Sequence, residues 1–145
     1  MSNADSPVRQ CLAAYQAAVL VKDVEAFMAI YAVDARIFEL WGCWEHDIAS
    51  WREMARGWFA FLGDQRSVVE AHEIRTQVSG DMALLTASLT YHAIDADGQA
   101  LRSLDNRLSW VLREQAGRWL VVHEHTSVPL AHEDGKGILK RPAAK

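Results

Sequence analysis

The sequence predicts an α+β domain in which three N-terminal helices pack against a strongly curved antiparallel sheet. Two observations carry this. Apolar residues recur at helical spacing through about Leu62, and from Ser67 onward the period changes to two. Helices first and hairpin-linked strands after is the order of an α+β fold. At 145 residues, half of them apolar, the chain has the size of one domain, placed over residues 5–130.

The elements follow in order. Ser6 and Pro7 form a cap and first-turn signal, and Val8, Cys11, Leu12, Tyr15, Ala18 and Val19 then line one helix face as far as Val21. Asp23 caps a short second helix with Ala26, Phe27, Ile30 and Tyr31 on one side. The stretch "DARIFELWG" reads as a strand ended by Gly42. Asp47 or Ser50 opens the third helix; Ser50 has Glu53 three residues on, as in a capping box. Its stripe is Trp51, Met54, Ala55, Trp58 and Leu62, and Gly63 closes it. Four long strands come next, at Val68–Val78, Met82–Ala93, Leu101–Arg113 and Arg118–Ser127, separated by Asp- and Gly-bearing turns. The tail of residues 131–145, "AHEDGKGILKRPAAK", is Gly- and Lys-rich and is expected to be loose.

Composition excludes several function classes. Net charge is −4 with no basic stripe before the tail, which argues against nucleic acid as a partner. No apolar run approaches the length of a membrane span, and "MSNADSPVRQ" lacks the pattern of a signal peptide, so a cytoplasmic location is expected. Cys11 and Cys43 form no CxxC pair and read as buried small hydrophobes. The chain has six tryptophans, which suit a core or an apolar ligand pocket.

The closing hairpin, "NRLSWVLREQAGRWLVVHEHTSVP", carries Arg107, Ser109, His123, His125 and Ser127 at alternating positions. A three-residue turn with Gly117 in the left-handed conformation would pair Arg107 with His125 and Ser109 with His123, with Trp119 on the same face. A two-residue Ala116-Gly117 turn would separate the arginine and serine from the histidines; it needs Ala at positive φ, which is unfavourable. On the first reading the polar face is the inner wall of the curved sheet. Leu108, Trp110, Leu112, Leu120 and Val122 then form an outer apolar face that a homodimer would cover.

The pattern Arg107-x-Ser109-x-Val111, then Gly117-x-Trp119-x-x-x-His123-x-His125-x-Ser127-x-Pro129, resembles the closing hairpin of SnoaL-like proteins. These belong to the nuclear transport factor 2-like superfamily, whose fold is also called cystatin-like. The helix–helix–strand opening is similar too, so the resemblance spans about Pro7 to Pro129. It implies a cone-shaped domain with an internal pocket. It does not imply one reaction, because such cones host isomerases, cyclases, dehydratases, hydrolases and assembly domains.

Within that superfamily the ketosteroid isomerase branch implies site residues. Its first-helix tyrosine stands eight residues before the helix-two Asp, as Tyr15 stands before Asp23. Its proton-shuttling acid lies in a Tyr-Ala-x-Asp-Ala-x-x-x-acid-x-x-Gly motif, and "YAVDARIFELWG" puts Glu39 there. Its second oxyanion donor, a protonated aspartic acid on the penultimate long strand, would fall near Ser109 or Arg107, neither of them an acid.

The candidate catalytic residues are thus Tyr15, Glu39, Arg107 and His125. Tyr31, Trp41, Trp44, Trp58, His92, Ser109, Trp119 and His123 are candidate ligand contacts. The expected chemistry is proton abstraction beside a carbonyl of a small apolar molecule, with Glu39 as base and Tyr15 as oxyanion donor, needing no cofactor and no metal. Plainer readings stay open. Tyr15 also fits a core tyrosine, Glu39 an ion pair with Arg107 or Arg36, and the histidines a brace for the hairpin. The alternative function is a non-catalytic pocket for small carboxylates, similar to the association domain of calmodulin-dependent kinases, with Arg107 as the anchor.

Overall fold

The computed structural model describes residues 5–143. Helices α1 (Asp5–Val21), α2 (Val24–Met28) and α3 (Ile48–Leu62) pack on a five-stranded sheet of β1 (Tyr31–Phe38), β2 (Arg66–Ser79), β3 (Met82–Ile94), β4 (Ala100–Gln115) and β5 (Arg118–Ser127). Strand order is β1-β5-β4-β3-β2. The four long strands are antiparallel, but β1 runs parallel to β5, so the sheet is mixed and not purely antiparallel as expected. Period-two patterning marks strands and faces; it carries no information on direction.

Local signals act where they are read. Asp23 accepts from the Ala26 amide at the start of α2, and Asp47, not Ser50, caps α3 by accepting from the Ser50 amide at 2.9 Å. Gly63 ends α3 at φ 58. The Ser6 cap lies inside α1, which begins one residue earlier. Beyond Phe38 the chain doubles back, and Ile37 and His46 exchange backbone hydrogen bonds at 3.0 and 2.9 Å. That turn returns His46 beside Glu39.

The β4–β5 turn is the two-residue form that propensity disfavours: Ala116 (φ 50) and Gly117 (φ 80) are both left-handed, and Gln115 pairs with Arg118. A bulge then absorbs Val122, because Leu112 pairs with Val121 while Val111 pairs with His123. The bulge reverses the alternation, so Arg107, Ser109, His123 and His125 share a face after all. Their pairing is shifted, with Ser109 opposite His125 and Arg107 opposite Ser127.

That face points outward, the reverse of the expectation. Leu108, Trp110, Leu112 and Val121 are buried and belong to the core with Tyr15, Phe27 and Trp51. Arg107, Ser109 and His125 are exposed. Alternation says which residues share a face; only the packing of the helices says which face they cover. The chain's own helices cover the apolar face, so the ground for a homodimer through it is removed.

Of the tail expected to be loose, residues 131–143 fold back on β4, and residues 144 and 145 lie outside the described residues. Asp105 N–H donates to Leu139 O, the Arg141 amide donates to Asp105 Oδ2, both at 2.8 Å, and Leu130 bridges to Gly137. The start of β4 extends past the end of β5, and the tail satisfies this otherwise bare edge. Cys43, expected to be buried, is exposed, and both cysteines are free. No helix among the described residues is long and apolar enough to cross a membrane.

Candidate active site

A cavity of about 380 Å³ lies between the helices and the inner face of the sheet. Its aromatic wall is Trp51 and Trp58 from α3, with Trp41 from the turn after β1. Its polar lining includes Tyr15 on α1, Glu39 after β1, Ser67 on β2, Tyr91 on β3, Asn106 on β4, and Glu124 and Thr126 on β5. Arg102 and Ser103 also contribute to the lining.

Glu39 sits at the end of β1 with its side chain 12% exposed, and Oε1 lies 3.0 Å from His46 Nε2. Burial raises its proton affinity, while the hydrogen bond and charge of His46 oppose that. On the other side of the ring, His46 Nδ1 is 3.0 Å from Ser50 Oγ. Arg36, the other partner foreseen for Glu39, pairs with Glu45 instead.

Tyr15 and Tyr91 join hydroxyl to hydroxyl at 2.7 Å. Burial is the largest cause pushing both phenols well above their ordinary value, so both are neutral donors at physiological pH. Asn106 lines the same cavity, and its buried Oδ1 has no partner. A buried acceptor left unpaired costs about 1–3 kcal/mol, which a ligand hydroxyl or amide would recover.

Glu124 is buried on the inner face of β5, 3% exposed, opposite Trp110. Its Oε1 accepts from Tyr31 Oη at 2.6 Å and from Trp110 Nε1 at 2.8 Å. Burial outweighs these two donors and, with the charge of Glu39 nearby, pushes the carboxyl up to about 7. Near neutrality it can therefore be a hydrogen-bond donor in a cavity whose other acid, Glu39, is held by an imidazole.

Of the residues expected from the sequence, Tyr15, Glu39, Trp41 and Trp58 meet in the cavity. Tyr31 stands behind it, holding Glu124. The others lie elsewhere. Arg107 donates to Ser127 Oγ on the outer face, and Ser109 and His125 are exposed there. His123 bonds Arg36 O through Nδ1 at 2.7 Å, and both His123 and His125 stack edgewise on Phe38, so the pair braces β5 against β1. His92 lies 3.2 Å from Glu70, Trp44 is 94% exposed, and Trp119 packs beside Cys11 at a separate groove. For Arg107, Ser109, His123 and His125 this follows from the reversed sheet face; Trp44 lies in the loop after β1, off the sheet. Among the described residues no three His, Cys, Asp or Glu converge as metal ligands.

Sequence reasoning missed His46, Tyr91, Asn106 and Glu124. Glu124 carried a signal: it is the one acid in register with Leu108, Trp110 and Leu112, out of place on an apolar face. Asn106 is a buried, inward polar residue of β4, next to Arg107, near which the resemblance would put the second oxyanion donor. Tyr91 had no signal, because its partner Tyr15 is 76 positions away; His46 meets Glu39 and Ser50, near in sequence, only because the chain doubles back after Phe38.

Comparison with known proteins agrees with this architecture. The SnoaL-like domain model matches residues 8–131. A nuclear transport factor 2-like protein of unknown function from Pseudomonas putida superimposes with a TM-score of 0.83 at 24% identity, covering 98% of this chain and 99% of that one. A protein of unknown function with a cystatin-like fold from Nostoc punctiforme gives 0.72 at 17% identity, covering 89% and 94%. A ketosteroid isomerase-like protein from Erwinia carotovora atroseptica gives 0.68 at 20% identity, covering 88% and 97%. No curated protein matches. At these identities the solved structures share the fold, while the family match spans most of the chain: the protein belongs to the SnoaL-like family.

Proposed function

We propose that the cavity binds a small, largely apolar carbonyl compound and abstracts a proton from the carbon beside the carbonyl, without a cofactor. The observation that carries this reading is the presence of Glu39 and the Tyr15–Tyr91 hydroxyl pair in one tryptophan-lined cavity. Glu39 takes the proton; its raised affinity suits a base working near neutrality. One tyrosine donates to the other, and the terminal hydroxyl donates to the oxygen that becomes an enolate. Glu124 adds a neutral carboxyl as a second donor in the same cavity, a role for which the ketosteroid isomerase resemblance had pointed to β4, where neither Arg107 nor Ser109 is an acid. Reactions open to this arrangement are double-bond isomerisation, cyclisation and dehydration.

The test is tryptophan fluorescence titration with phenols and enones on wild type, Tyr15→Phe, Tyr91→Phe and Glu39→Gln. Binding weakened by either tyrosine change, and proton abstraction abolished in Glu39→Gln, is expected. Phenol binding indifferent to both tyrosines, or turnover indifferent to Glu39, overturns the reading. A second reading, a non-catalytic carboxylate pocket, no longer rests on Arg107. It rests on Arg102, whose exposed side chain contributes to the cavity lining. Small carboxylates that bind tightly and are lost only in Arg102→Ala would favour it.

A further inference from the structure

Glu39 is connected to a second opening. Its partner His46 is buried at 8% exposure, yet His46 also lines a separate surface groove with Asp34, Arg36, Glu45, Asp47 and Ser50. The imidazole spans the wall between the two spaces. Nε2 meets Glu39 Oε1 at 3.0 Å on the cavity side, and Nδ1 meets Ser50 Oγ at 3.0 Å on the groove side. Both contacts are built by backbone. The Ile37–His46 bridge sets the ring beside Glu39, and the Asp47 cap sets Ser50 in the first turn of α3.

We propose that His46 and Ser50 are a proton relay joining Glu39 to solvent, so that the hydrogen taken from the substrate is exchanged for a solvent hydrogen before product forms. The inference rests on Glu39 acting as the base. In the outward step the C–H electron pair stays on the substrate as an enolate, and its proton goes to Glu39. From there it passes to Nε2, while Nδ1 gives its proton through Ser50 Oγ to groove water. In the inward step Nδ1 takes a proton by the same path, and Nε2 returns one to Glu39 for delivery to carbon. Over the two steps the imidazole recovers its first tautomer, and only protons have moved. A buried base without such a path would return the same hydrogen it removed.

The test follows hydrogen–deuterium exchange of cyclohex-2-enone in deuterium oxide by proton NMR. Wild type, Glu39→Gln, His46→Gln, His46→Gly and Ser50→Ala are compared, each checked for native unfolding midpoint. Wild type is expected to catalyse exchange and Glu39→Gln to abolish it. His46→Gln keeps an N–H toward Glu39 but cannot relay, and its exchange should fall at least about tenfold with enone binding unchanged. Imidazole added to His46→Gly should restore the rate. If His46 only positions Glu39, His46→Gln exchanges like wild type and imidazole does nothing, which overturns the relay and leaves the base intact. Should the histidine variants not fold, a rate in Ser50→Ala equal to wild type overturns the relay equally. No exchange in wild type, or exchange indifferent to Glu39, overturns the proton-abstraction reading itself and the relay with it.

Discussion

Replacing Glu124 with glutamine is expected to stabilise the protein at alkaline pH and to change little in acid. The side chain is 3% exposed, and its carboxyl is raised from 4.5 to about 7. A carboxyl that binds its proton more tightly in the folded state contributes stability that is complete below pH 4.5 and lost as pH rises through 7. In that window the folded chain holds more protons than the unfolded one, so stability falls with pH. The whole loss is about 3 kcal/mol, at ~1.4 kcal/mol for each pH unit between the two values. Glutamine keeps an oxygen to accept from Tyr31 and Trp110, and never ionises. Urea unfolding of both proteins at pH 5, 6, 7 and 8 reads the effect. The difference should be about 1 kcal/mol at pH 5 and should grow to about 3 kcal/mol in favour of the variant at pH 8. A difference that stays flat across that range would refute the argument that burial, and not the two donors, sets the state of this carboxyl.

Other expectations follow from the reversed sheet face and the local caps. Arg107→Ala removes an exposed group and should leave stability within about 0.5 kcal/mol and enone binding unchanged in the fluorescence titration. Asp47→Ala removes the acceptor for the Ser50 amide and should cost about 1 kcal/mol in urea unfolding, against no measurable cost for Glu53→Ala, since Ser50 is not the cap. Ending the chain at Pro129 frees the Asp105 amide from Leu139, and hydrogen exchange should find that amide deprotected while the Leu85 amide, in the middle of β3, stays protected.

The order of helices and strands, the caps at Asp23 and Asp47, and the limits of β2 to β5 are written in the sequence, because each depends on residues within a few positions of one another. Tyr15 and Glu39 were picked out for a different reason: each stands at a position to which the resemblance to ketosteroid isomerases points. What only the tertiary structure decided is which side of the sheet is inside. Alternation is symmetric between the two faces, and a single bulge at Val122 on β5 shifts every residue on one side of it. With the helices lying on Leu108, Trp110 and Leu112, the conspicuous Arg107, Ser109, His123 and His125 became surface. The inconspicuous Asn106 and Glu124 became the wall of the cavity. The contacts that set their chemistry, Tyr31 to Glu124 and Tyr15 to Tyr91, link residues 93 and 76 positions apart. No local pattern encodes a proton affinity that arises from burial among such distant neighbours.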